Sequence, residues 1–175
     1  MSALSPRNLA IIVAVSLALV LQLSVFPHFS VDGVVPDLVL LVVVATALRH
    51  GSEVGLATGF AGGLLLDLTP PADSVAGRWA LALMVVGYVA GRLTTTGAPR
   101  FTQWLGAAAA SSFVGTSVFA LTGLVLRDPA VATGELLRVS GIALVWDVVL
   151  ALVVVPLVLG LFDRVAPDRA RALAT

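Results

Sequence analysis

The sequence predicts an all-α fold: a polytopic membrane helix bundle with about six transmembrane helices, in a single domain over residues 1–175. Hydrophobic residues make up 59% of the chain and charged residues only 11%, whereas a soluble domain carries about 25% charged residues. The mean hydropathy is +1.07. Apolar runs recur along the chain, separated by short polar segments. These runs leave no stretch for a separate soluble domain.

The composition also excludes several classes of function. The formal net charge is zero, so no basic surface indicates a nucleic-acid partner. The chain has no cysteine and only two histidines, His28 and His50, which argues against disulfides, thiol chemistry and a metal site. No serine-hydrolase, zinc-protease or phosphate-binding motif is present. We therefore expect a protein that is not an enzyme and needs no cofactor.

The apolar runs predict helices near residues 8–25, 34–48, 54–68, 79–93, 104–126 and 139–162, followed by a short tail over 163–175. The first run follows Arg7 and is too long for a signal peptide, and no small-residue cleavage site precedes Pro27.

The second run opens with Pro36 and Asp37, which suit a first helical turn: proline lacks an N–H that would have no partner there, and a carboxylate favours the positive end of the helix dipole. This run is short for a membrane crossing. Either the helix begins near Val31, or it is a short element packed inside the bundle.

The third run carries a glycine stripe, Gly51, Gly55, Gly59 and Gly63, with one glycine at every fourth residue. Such a stripe lets another helix backbone approach closely, which favours association in lipid. The stripe packs either within this bundle or against another protein. Asp67 lies one step further along the same face, where a carboxylate needs a headgroup or a donor. We expect that donor to be Arg78 or a group on another protein.

The remaining runs add small residues and one buried acid. Helix four carries Gly87 and Gly91 between two terminal arginines, Arg78 and Arg92, that are typical headgroup anchors. Helix five has a small-residue face suited to meet the glycine stripe, which contains Ala107, Ser111 and Gly115.

Asp147 is the only acid well inside a predicted span, so it should face the bundle rather than lipid. Its expected neighbours are the hydroxyl groups of Ser111, Ser112 or Thr116. Three roles remain open for it: a structural clasp, a substrate or proton site, or a contact to a partner helix.

Arginine placement predicts the orientation, because cytoplasmic loops carry an excess of basic residues. With the N-terminus inside, the arginines outside are Arg78, Arg127 and Arg138, and those in the cytoplasm are Arg7, Arg49, Arg92, Arg100, Arg164, Arg169 and Arg171. The larger cytoplasmic set predicts that both termini are cytoplasmic.

Several motifs together resemble the MreD family. They are Pro36-Asp37-Leu38 before an apolar run, a glycine-rich helix that ends Gly63-Leu-Leu-Leu-Asp67-Leu before a proline loop, Gly77-Arg-Trp-Ala-Leu, and Gly87-Tyr-Val-Ala-Gly91-Arg92. The resemblance is densest over residues 34–93.

The resemblance implies a multi-pass protein of the bacterial plasma (inner) membrane that serves as a non-enzymatic scaffold for cell elongation. Its implied partners are an MreC-like membrane protein, an MreB-like filament, and the glycosyltransferase and transpeptidase of lateral peptidoglycan synthesis. The family's fold is also similar to the substrate-binding components of energy-coupling-factor transporters. The alternative function is therefore a membrane component for vitamin uptake.

Overall fold

A computed structural model describes residues 5–30, 32–69, 76–93, 99–126 and 133–165. These residues form six α-helices: α1 (Pro6–Ser24), α2 (Leu38–His50), α3 (Ser52–Asp67), α4 (Arg78–Arg92), α5 (Phe101–Val125) and α6 (Thr133–Val165). A short 3-10 turn, Phe26–Phe29, follows α1. The prediction of an all-α protein with six helices is confirmed. The predicted tail beyond residue 165 and the loop segments 70–75 and 127–132 lie outside the described residues.

Within the described residues, three helices are long and apolar enough to cross a membrane: Pro6–Ser24, Phe101–Val125 and Arg138–Val165. The other three are shorter, with 13 residues in α2, 16 in α3 and 15 in α4. A span of about 20 residues is needed to cross the hydrocarbon core without help from neighbours. The bundle therefore combines three long helices with three short ones.

The short helix α2 lies at the centre of the bundle. Every residue from Leu38 to Leu48 is buried, and α2 contacts each of the other five helices. A helix that is apolar on all sides suits such a position. Thr46, the one polar side chain in this stretch, donates a hydrogen bond to the carbonyl oxygen of Val42 (2.8 Å). Of the two interpretations of its shortness, a short element packed inside the bundle is the one observed, and the helix begins at Leu38 rather than near residue 34 or Val31.

The other helices form a ring around α2 in the spatial order α1, α3, α4, α5, α6. The weakest contact in this ring joins α1 to α3, and the closest joins α3 to α4. Neighbouring pairs along the chain run antiparallel; Gly55 faces Gly87, for example, while Gly63 faces Trp79. By contrast α2 and α6 run parallel, since Asp37 contacts Asp147 and Arg49 pairs with Asp163.

Local capping explains where several helices begin. Ser5 accepts a hydrogen bond from the backbone N–H of Asn8 (3.3 Å), and Pro6 occupies the first turn of α1. Gly51 alone joins α2 to α3, with a φ of +89° that favours glycine. This single-residue connection folds α3 directly back along α2.

Candidate functional site

The glycine stripe of α3 packs against the backbone of α4. A Cβ atom built on Gly59 would lie 1.9 Å from the carbonyl oxygen of Leu83, and one on Gly63 would lie 2.3 Å from that of Trp79. Gly55 and Gly87 face each other in the same way, with a Cβ on Gly87 only 2.1 Å from the Gly55 carbonyl oxygen. At these positions any side chain would force the two helices apart. The stripe is therefore occupied within this chain and is not an open groove for another protein.

Two expectations about the stripe are corrected. A Cβ on Gly51 would meet nothing within 4 Å, so this glycine is required by its backbone conformation rather than by packing. The small-residue face of α5 does not meet the stripe, because α3 and α5 make no contact among the described residues. Instead Gly115 of α5 faces the side chains of Leu40 and Val86. At the N-terminal end of α3, Gly91 of α4 packs against the backbone of Ser52.

Asp67 caps the neighbouring helix α4. Its Oδ2 accepts hydrogen bonds from the backbone N–H groups of Gly77 (2.9 Å) and Ala80 (3.0 Å), and its Oδ1 accepts one from Trp79 (3.2 Å). The side chain is buried. The donors to Asp67 are thus three backbone amides at the positive end of α4. They replace the donors expected from the sequence, which were Arg78, a headgroup or a group on another protein.

Arg78 points into the bundle rather than toward headgroups. Its guanidinium donates from Nη2 to the carbonyl oxygen of Phe119 (2.8 Å) and lies 3.8 Å from the centre of the Phe119 ring. The residue is only 2% exposed. The expectation of a headgroup anchor is therefore wrong for Arg78, because α5 supplies both an acceptor and an aromatic face for the cation. Phe119 had no distinguishing signal in the sequence.

A second polar group, which we call the inner polar cluster, consists of Gln22, Asp37, Ser112 and Asp147. Oδ1 of Asp147 accepts a hydrogen bond from the backbone N–H of Asp37 (2.9 Å). Oδ2 of Asp147 accepts one from the hydroxyl of Ser112 (2.6 Å). Asp147 is 2% exposed and lies about 13 Å along α6 from Arg138. It faces the bundle, as a carboxylate in a membrane span should.

The inner polar cluster caps the buried start of α2. Gln22 accepts a hydrogen bond through Oε1 from the backbone N–H of Val39 (3.0 Å), and Oδ1 of Asp37 accepts one from Leu40 (2.9 Å). With Asp147 on the N–H of Asp37, three donors at this helix start have side-chain acceptors. Sequence reasoning missed Gln22, although a glutamine between Leu21 and Leu23 was an available signal.

The other two hydroxyls proposed for Asp147 behave differently. Thr116 donates to backbone carbonyl oxygens of its own helix, those of Ser112 (2.6 Å) and Phe113 (3.1 Å). The buried Oγ of Ser111 has no hydrogen-bond partner among the described residues, and the same holds for Oδ2 of Asp37. Within the described part of the chain no three His, Cys, Asp or Glu side chains converge on a metal site.

An open groove of about 480 Å³ lies between α1 and α3, at the weakest contact of the ring. Its walls are mostly apolar and include small residues, such as Ser16 of α1 and Ala57 and Ala61 of α3. Arg7 and Glu53 lie at one end of it. Another molecule in this groove could therefore approach the backbones of α1 and α3 closely, with charged side chains at one end.

The chain is similar to a known protein family. The family described as rod shape-determining protein MreD matches residues 6–165. Curated proteins and solved structures give no significant match. The matched range spans all six helices.

Proposed function

Because the chain belongs to the MreD family, which has a role in rod-shape determination, we propose that it is a non-enzymatic membrane scaffold of the cell-elongation machinery and binds an MreC-like partner. The family match over residues 6–165 carries this proposal. Through that partner it would join the filament and the peptidoglycan-synthesising enzymes of lateral growth. Its site of action is the bacterial plasma membrane.

The arrangement of polar groups supports a scaffold over the alternative, a vitamin-uptake component. A transporter binds its substrate through convergent polar groups near the membrane midplane. Both oxygens of Asp147 are instead engaged by Asp37 and Ser112. The groove between α1 and α3 has its charged residues, Arg7 and Glu53, at one end.

The proposed orientation has both termini in the cytoplasm. The described arginines at the end of the bundle that holds the start of α1 are Arg7, Arg49, Arg92, Arg100 and Arg164. Those at the opposite end are Arg78 and Arg138, of which Arg78 lies against Phe119 and Arg138 pairs with Asp32. The excess of arginine supports a cytoplasmic position for the first end.

We place the partner in the groove between α1 and α3. The glycine stripe and Asp67 are already used inside the chain, so neither is free to receive another protein. Along α3 the groove runs from Glu53 to Leu65, about 18 Å or three helical turns. Ala57 and Ala61 on its wall would let another helix approach closely.

The charge at the end of the groove favours a transmembrane helix as its occupant. Glu53 is exposed and has no ion-pair partner among the described residues. In the proposed orientation it lies at the cytoplasmic side, where the flank of a single-span helix is basic. We therefore expect the spanning helix of the MreC-like protein to bind here, with its basic flank near Glu53.

Site-specific photocrosslinking tests this proposal with the organism's own MreC-like protein co-expressed. A crosslinking residue at Ala57 should capture that protein, whereas one at the exposed Phe113 of α5 should not. Replacing Ala61→Trp should lower co-purification about tenfold, which corresponds to about 1.4 kcal/mol, and Phe113→Trp should leave it unchanged.

The outcomes separate the two parts of the proposal. If wild-type protein does not co-purify with the MreC-like protein, partner binding itself is refuted. If it does co-purify but Ala61→Trp has no effect, the groove is not the docking surface. If Ala57 crosslinks only to lipid, a lipid occupies the groove.

A further inference from the structure

The inner polar cluster brings two carboxyl groups together without a basic partner. Asp37 and Asp147 are joined by the hydrogen bond from the Asp37 N–H, and both side chains are buried. None of the hydrogen bonds or ion pairs of these two residues involves an arginine or histidine of the described chain. Two adjacent negative charges in such a medium would repel each other strongly and would also lose their hydration.

We infer that the inner polar cluster holds one bound proton, on the carboxyl group of Asp37, so that the two carboxyl groups together carry a single negative charge. Two carboxyl groups at one site hold a proton between them when both cannot ionise together.

The pattern of hydrogen bonds assigns that proton to Asp37. Both oxygens of Asp147 accept from strong donors, the Asp37 N–H and the Ser112 hydroxyl. Oδ1 of Asp37 accepts from the Leu40 N–H, but Oδ2 is buried and receives no donor. An ionised carboxylate is stabilised by donors on its oxygens, and only Asp147 has a donor on both of them. Asp37 is therefore the carboxyl group that keeps the hydrogen.

The described groups around the cluster do not offer a source of positive charge. From α1 the cluster receives the neutral amide of Gln22, and from α5 the neutral hydroxyl of Ser112. The charged residues toward the same end of the bundle have other partners: Asp67 binds the α4 amides, Arg78 lies against Phe119, and Arg138 pairs with Asp32.

Loss of this proton would destabilise the contact at which four helices meet, α1, α2, α5 and α6. A second charge would repel Asp147, whose carboxylate holds the backbone at the start of α2. Because the folded chain keeps a proton that the unfolded chain releases, the folding equilibrium constant should fall about tenfold per pH unit as the pH rises. This fall begins above the pH at which an exposed Asp ionises, and it ends where the folded protein loses the proton.

Infrared spectroscopy of the purified full-length protein in nanodiscs tests the inference. The wild type should show the carbonyl band of a protonated carboxylic acid at neutral pH, with the shift that deuterium exchange causes. Asp37→Asn should remove that band, while Asp163→Asn, at an exposed site, should keep it. A spectrum without the band, or a band that survives Asp37→Asn, overturns the inference.

Thermal unfolding gives an independent measurement. The wild type should lose stability as the pH rises, and Asp37→Asn, which mimics the neutral acid, should not show this loss. If Asp37→Asn does not fold, loss of the wild-type band at alkaline pH together with the fall in melting temperature supports the inference, and a band unchanged by pH overturns it. Stabilisation by Na⁺ over choline, with no acid band, would show a bound metal cation instead and would also overturn it.

Discussion

Asp67 lies at the C-terminal end of α3, which is the negative end of the helix dipole and disfavours a carboxylate. The start of α4 offsets this electrostatic cost. The three N–H groups that it binds, those of Gly77, Trp79 and Ala80, lie at the start of α4, where a helix leaves its donors unpaired. The buried carboxylate thus interacts favourably with the positive end of the α4 dipole, and the three N–H groups stabilise its negative charge. This gives Asp67 a structural role in joining α3 to α4.

Replacing Asp67→Ala should therefore lower the stability and the membrane abundance of the protein. Hydrogen bonds to a charged group contribute about 1.5–3 kcal/mol each, and the unpaired donors would stay buried, so we expect a loss of at least about 2 kcal/mol. Thermal unfolding in detergent measures this effect. Asp163→Ala, which removes a surface ion pair with Arg49, is the control and should cost less than about 1 kcal/mol. Normal abundance and stability of Asp67→Ala would contradict the structural role.

Some of the polar contacts were predictable from residue chemistry alone. A single acid inside an apolar span must face the bundle and find donors, which led to Asp147 and to three candidate hydroxyl groups. Of these, only that of Ser112 donates to it. The remaining donor, the backbone N–H of Asp37, depends on α2 starting at the depth of Asp147. No local pattern encodes that depth, because it results from how the connector and five other helices pack.

Helix pairing shows the same division between local pattern and long-range packing. The spacing of Gly55, Gly59 and Gly63 indicates a backbone contact wherever the helix packs. It does not say which helix makes that contact, and the small residues of α5 were expected to make it. The structure selects α4. An antiparallel pair places both sets of glycines along one line of contact, so the backbones meet at several levels.

Adding even one methyl group at this contact should destabilise the protein. In Gly59→Ala the new Cβ would overlap the carbonyl group of Leu83, and Gly59→Leu should be worse; overpacking typically costs about 1–3 kcal/mol. Gly106→Ala is the matched control, since a Cβ there meets nothing within 4 Å. That change should be neutral or stabilising by up to about 1 kcal/mol. Equal melting temperatures for Gly59→Ala and Gly106→Ala would show that the α3–α4 contact is not tightly packed.

At the scale of the whole molecule, six apolar runs were enough to predict an all-α bundle, but not its arrangement. The uniformly apolar sequence of α2 allowed either a crossing or an internal helix. Its central position depends on the five helices that surround it. The ring also has one weak contact, between α1 and α3, which the sequence pattern did not reveal. That contact contains the groove in which we place the partner.

The orientation of the bundle can be tested because the chain has no native cysteine. Single cysteines can replace four exposed residues: Ser5 and Thr102 at the arginine-rich end, and Ser30 and Ala76 at the other. If the arginine-rich end is cytoplasmic, a membrane-impermeant thiol reagent should label Ser30→Cys and Ala76→Cys in intact cells.

Ser5→Cys and Thr102→Cys should react only after the cells are made permeable, which also controls for reactivity at each position. Labelling of these two in intact cells, with protection of the other two, would reverse the orientation. It would also place Glu53 and its end of the groove outside the cell, and the basic cytoplasmic flank of a partner helix could then no longer bind there.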